Sequence, residues 1–179
     1  MEQPGCDEAQ WVLAAKRGSE EGWRHLVAAH EDWLMRLAWR LTGRRGVAEE
    51  LVQETFVEAV DGIRRLRDNG AFRAWIRTIL MRAVQRYWRR KRTKLASLPP
   101  DLPDTRPPAQ TASLQELQDA IDRAIANLSP LYREALALAM ETDLISAEAG
   151  KLLGCSAEAY RVRVHKARKI LREALKDYL

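Results

Sequence analysis

Residues 71–94, AFRAWIRTILMRAVQRYWRRKRTK, carry apolar side chains at Phe72, Trp75, Ile76, Ile79, Leu80, Ala83, Val84 and Tyr87. Steps of three and four residues are the period of an α-helix that buries one face, and the pattern runs too long for a strand. Upstream, the loop Arg67-Asp68-Asn69-Gly70 separates this helix from another predicted over about 46–65, with an apolar stripe at Leu51, Val52, Phe56, Ala59, Val60 and Ile63. Two earlier helices are predicted over about 7–17 and 20–41, parted by Gly18 and Ser19. Helix formers dominate throughout, and alternating runs of Val, Ile and Thr are absent, so the chain reads as all-α.

Downstream the pattern breaks. Residues 97–113, SLPPDLPDTRPPAQTAS, hold five of the seven prolines, and all six tryptophans precede them. Proline removes backbone donors and pushes its predecessor out of the helical region, so the stretch reads as an extended linker. The expected architecture is two small helical domains, 1–95 and 114–179, joined by a Pro-rich linker over 96–113. The second half offers four more helices. One spans about 114–127 with Leu114, Leu117, Ile121, Ile125 and Leu128 on its stripe, and another about 130–141, opened by Ser129-Pro130. A short helix follows over about 146–153, capped by Ser146 and ended by Gly154. The last is capped by Ser156, runs to about residue 178, and is expected to pack through Val164, Ala167, Leu171, Ala174, Leu175 and Tyr178.

The formal net charge of +5 points to a polyanionic partner, although the placement of charge says more than its sum. From the second half of the fourth helix onward, Arg82, Arg86, Arg89, Arg90, Lys91, Arg92 and Lys94 occur with no acid between them, and Tyr87 and Trp88 are interleaved. Guanidinium groups meet phosphate and aromatic faces stack on unpaired bases; the competing reading is a solvated helix end with both rings in the core. The short helix, the turn Gly154-Cys155-Ser156 and the longer helix have helix-turn-helix proportions. Arg161, His165, Arg168, Arg172 and Lys176 lie along one face of the longer helix, suited to the major groove, or else simply solvated. Glu50, Glu54, Glu58 and Asp61, with Gln53 beside them, form an acidic face on the third helix. It would repel DNA and suits a basic protein partner, with a solubilising face as the alternative.

No constellation suggests catalysis. His25, His30 and His165 lack the spacing of a metal site, and there is no Gly-rich phosphate loop, so no enzyme activity, metal or cofactor is expected. Cys6 and Cys155 stand far apart, outside any zinc or disulfide pattern, which fits a reducing cytoplasm. Residues 1–10 lack the apolar core of a signal peptide, and no apolar run approaches the roughly 18 residues of a membrane span. A cytoplasmic protein without membrane insertion is expected.

Together these segments resemble the sigma-70 family of RNA polymerase sigma factors, in its extracytoplasmic-function group. The resemblance rests on AEELVQETF at 48–56, FRAWI at 72–76, LLGCS at 152–156 and RVHKAR at 163–168, and covers about residues 7–179. It implies a region 2-like bundle, a region 4-like helix-turn-helix domain, and partners in core RNA polymerase (the β′ clamp helices and β flap) and promoter DNA. An anti-sigma factor is a further candidate partner. By motif position, the polymerase face falls on Glu50, Gln53, Glu54 and Glu58. The −10 contacts fall on Asp68, Asn69, Gly70, Trp75, Arg82, Arg86, Tyr87, Arg89 and Arg90. The −35 contacts fall on Arg161, Val162, Arg163, His165, Lys166 and Arg168. Arg82 and Arg86 stand where the family usually has Asn and Asp, and Glu158-Ala159-Tyr160 where it usually has Gly-Thr-Val. The alternatives are a sigma-derived regulator that binds duplex DNA without serving polymerase, and a helical protein-interaction module.

Overall fold

The structure is a computed structural model that describes residues 4–95 and 114–178; the Pro-rich linker lies outside them. The described residues are helical, without a strand, and fall into two compact units. One holds residues up to 39 together with 45–87, and the other holds residues 40–44 with those from 88 onward.

The first unit is built from α1 (Pro4–Lys16), most of α2 (Glu20–Thr42), α3 (Arg45–Gly62) and the first part of α4 (Phe72–Leu95). Its centre is the predicted stripe: Phe72, Ile76, Leu80 and Val84 are fully buried with Val12, Leu26, Leu34 and Leu37. Each such side chain contributes about 1.5–3 kcal/mol on leaving water, which fixes the rotation of α4 about its axis. Trp75 and Tyr87, at the edge of the stripe, are only half-buried. His30 is buried against Phe72, with ring centroids 5.1 Å apart, and its Nε2 lies 3.3 Å from Glu8 Oε2.

The join between α1 and α2 is tightly specified. Gly18, at φ +88, ends α1; its N–H donates to Ala15 O and that of Ser19 to Ala14 O, the paired bonds of a Schellman stop. Ser19 Oγ then accepts from Gly22 N at 3.2 Å and opens α2. At Gly22 the two helices touch: a Cβ there would lie 2.8 Å from Ala15 N and 2.9 Å from Trp11 O.

The third helix departs from its prediction in two ways. It stops at Gly62, where a Cβ would press at 3.2 Å on the Trp75 ring, and Ile63–Arg65 continue as a 3-10 turn. Val60, expected in the core, is 52% exposed. The buried set is Ala48, Leu51, Val52, Thr55 and Ala59, with Thr55 Oγ1 satisfied by Leu51 O at 2.7 Å and Phe56 only half-buried.

The second unit contains α5 (Leu114–Asn127), α6 (Pro130–Ala139), α7 (Ser146–Leu152) and α8 (Ala157–Ala174). On α5 the buried residues are Ala120 and Ala124, followed by Leu128, while Ile121 and Ile125 are half-buried; the side chains of Leu114 and Leu117 lie outside the described ones. Arg133, only 5% exposed, donates to the carbonyls of Ile125, Ala126 and Leu128 and so satisfies the end of α5 that the helix cannot satisfy itself. Ser146 is the first residue of α7 rather than its cap; Ile145 holds the cap position, and Glu148 Oε2 accepts from its N–H at 3.2 Å. Gly154, at φ +63, opens the helix-turn-helix turn after α7, and Ser156 Oγ accepts from Ala159 N at 3.1 Å to open α8. Tyr160, Val164 and Ala167 are the buried positions of α8; Leu171 is half-buried, whereas Ala174, expected to pack, is exposed where the helix ends.

Gly22→Ala should destabilise the first unit by about 1–3 kcal/mol, because the contact atoms are backbone and cannot swing aside. Urea unfolding of the full chain, followed by tryptophan fluorescence (every Trp lies at or before residue 88), will measure it. A change below about 0.5 kcal/mol would contradict the close approach.

Candidate functional site

Three surfaces emerge. On α3, Glu50, Gln53 and Glu54 are exposed and Glu58 half-exposed, as helical spacing from the buried Leu51 and Val52 requires. Val57 lies in the middle of this face and is 66% exposed, with Val60 beside it. An apolar pair ringed by carboxylates and an amide has the composition of an interface centre, and burying it in the fold is impossible while Ala48, Leu51 and Ala59 face the core.

The second surface combines the 66–71 turn with α4. Asp68 and Gly70 are exposed, Asn69 and Trp75 half-buried, and Asp68 Oδ1 accepts from Gly70 N at 2.9 Å to open a 3-10 turn over Asn69–Ala71. Along α4, Arg82 and Arg89 are exposed away from the buried stripe, and Arg90 is exposed beyond the stripe's end. Arg86 is different. Its Nη2 pairs with Glu54 Oε1 at 2.8 Å and Glu58 Oε2 at 2.9 Å. The hydrogen bond to Glu54, above all, holds this guanidinium above its ordinary pKa. The cations of α4 are therefore not all without a counter-ion, since Arg86 finds one across the bundle. Tyr87 is half-buried, and Trp88 is buried at 7% exposure, which removes its ring from stacking on a base. The side chains of Arg92 and Lys94 lie outside the described ones.

The third surface is α8. Arg161, His165, Lys166 and Arg168 are exposed, Val162 is 48% exposed, and Arg163 is half-buried. Arg161, His165 and Arg168 edge a shallow depression floored by Leu144, Tyr160 and Val164. Burial pushes the Tyr160 hydroxyl above its ordinary pKa, partly offset by the charge of Arg168. Among the described residues no group of His, Cys, Asp or Glu could hold a metal ion, and no helix is long and apolar enough to cross a membrane.

Residues 26–94 match the family Sigma-70 region 2, and residues 118–171 match Sigma-70, region 4. The chain is 30% identical to the ECF RNA polymerase sigma factor SigC of Mycobacterium tuberculosis, over 92% of this chain and 90% of that one. It belongs to the extracytoplasmic-function sigma factors. It is also 32% identical to sigma factor SigE of Mycolicibacterium smegmatis over 86% of its length, spanning 61% of that longer protein. Among solved structures it resembles the sigma factor RpoE in complex with the anti-sigma factor NepR from Bartonella quintana. The TM-score is 0.64 at 25% identity, covering 86% of this chain and 96% of that one. As a sigma factor, the chain binds core RNA polymerase and directs promoter recognition, so the reading as a regulator that does not serve polymerase is set aside.

The sequence reading of this sigma factor missed several residues. Val60 was assigned to the core stripe, and Val57 was assigned to no face, because the acidic residues around it drew the reading. Arg64, Arg65 and Arg67 are exposed just before Asp68 and surround the turn with positive charge; their density alone could have marked them. Arg73 stacks 3.9 Å over the Trp33 ring, a pairing of residues forty apart that no local pattern reveals.

Because Arg86 is already neutralised locally, Arg86→Ala should weaken DNA binding less than Arg82→Ala. A double-mutant cycle of Arg86→Ala with Glu54→Gln should give a coupling of about 0.2–1 kcal/mol, the range for partly exposed pairs. Equal DNA defects and no coupling would show the pair to be idle.

Proposed function

We propose that this sigma factor works by dividing its binding among three faces. The α3 face of Glu50, Gln53, Glu54 and Glu58, centred on Val57 and Val60, docks on the β′ clamp helices of core polymerase. The 66–71 turn, Trp75 and the exposed arginines of α4 hold the −10 element. Arg161, Val162, His165 and Lys166 of α8 read the −35 duplex, with Arg163 and Arg168 near phosphate, and its domain also meets the β flap. The observation that carries the reading is the apolar centre of the α3 face, an exposed pair of valines on the acidic side of a basic protein.

The work is binding rather than bond-making. Phosphate contacts position the protein and groove contacts select sequence. Unstacking costs a few kcal/mol per base step, so melting is confined to an AT-rich element and is driven jointly with polymerase. RpoE was solved with an anti-sigma factor, and a restraining partner of that kind is part of the proposal for this chain, as is a cytoplasmic location.

Two measurements test the assignment. Glu50→Lys combined with Val57→Asp should reduce capture of core polymerase by at least about tenfold while leaving duplex affinity intact, because a central apolar anchor and its charged rim are both lost. Duplex binding should fall with salt at a log–log slope near −5 for about six phosphate contacts, and Arg163→Ala with Arg168→Ala should make it shallower by about 2. Wild-type capture by the α3 variant would remove that face from polymerase.

A further inference from the structure

The turn assigned above to the −10 element does not hold its shape alone. Lys16, the last residue of α1, sends its Nζ across to donate to Leu66 O at 2.6 Å and to Asn69 Oδ1. Asp68 organises the turn from within, through Gly70 N, while Lys16 clamps it from outside at Leu66 and Asn69. The lysine is well placed for this. It sits in the final turn of α1, where a cation meets the negative end of the helix, and the Gly18 stop and the Gly22 contact fix the direction in which it leaves the bundle.

The chemistry of the clamp has a consequence for Asn69. A carboxamide offers one acceptor oxygen and one donor NH2, and either can face a ligand. An ammonium group can only donate. Lys16 therefore fixes which side of the amide is the oxygen, and so where the NH2 donor of Asn69 lies. We propose that Lys16 is a positioning residue for promoter recognition: it holds the 66–71 turn and orients the Asn69 amide, so that the turn favours an unpaired base presenting an acceptor edge. This rests on the reading of the turn as the −10 contact. Arg64, Arg65 and Arg67, exposed around it, supply the phosphate attraction that brings a strand there without discriminating among bases.

Two substitutions separate orientation from folding. Lys16→Met keeps the length of the apolar stem and removes the donor. Asn69→Asp keeps an acceptor for Lys16 and removes the NH2. Hydrogen exchange of the full chain reads the turn directly. Amides of residues 66–71 should exchange about tenfold faster or more in Lys16→Met, as expected on losing hydrogen bonds from a charged donor, and at the wild-type rate in Asn69→Asp. Amides in the middle of α2 and α4 should be unchanged in both, which distinguishes a loosened turn from a loosened bundle.

The second readout uses each variant bound to core polymerase and short labelled single-stranded DNA carrying each of the four bases in turn at every position. Both variants should lose the base preference of the wild type at one position, and the DNA binding that remains should still weaken with salt. Unaltered exchange of the turn in Lys16→Met overturns the proposal whatever the DNA does. Loosened exchange combined with a wild-type protein that shows no base preference would instead sink the −10 reading of the turn, and with it the claim on specificity.

Discussion

Burial of one face of α4 sets the terms for the first unit. Once Phe72, Ile76, Leu80 and Val84 are inside, the helix has no rotational freedom left, and the residues about half a turn away must face water. Arg82 and Arg89 are exposed for that geometric reason. The same burial places Arg86 toward α3 and brings Trp75 against Gly62, where α3 ends. A hydrophobic stripe thus aims a set of cations without any of them contributing to the core.

Charge is segregated by the same logic. The α3 acids and the α4 arginines lie on neighbouring helices, and at physiological salt a field decays over roughly 8 Å. Arg86, paired with Glu54 and Glu58, stands where the two signs meet. It compensates Glu54 and Glu58 at one edge of the α3 face, whereas the neutral Gln53 lies on the other side of Val57. Helix α3 therefore presents a graded surface: polar and apolar on one flank, compensated on the other.

The all-α class and the stripe of α4 were legible because periodicity alone encodes them, and the helix-turn-helix geometry was legible from Gly154 and Ser156. Boundaries were harder. The sequence marks Gly62 only as a glycine inside an apolar period, whereas its close approach to the ring of Trp75 joins two helices and shows only in the packed bundle. Ser146 looked like a cap because serine is a good one, yet Glu148 does the work by reaching back to Ile145 N. At the site, charged residues on exposed faces were readable from spacing, whereas cross-bundle partners such as Arg86 with Glu58, or Lys16 with Asn69, join segments that only the packed core brings together.

Gly22 touches no candidate surface, yet it governs one. Because α1 rests directly on backbone there, the absence of a single methyl group sets the height at which α1 rides above α2. Lengthening that gap by even a few tenths of an ångström would move Lys16, the residue after Ala15, against Leu66 and Asn69. A glycine that meets nothing outside the bundle thereby sets the footing of the lysine that braces the 66–71 turn.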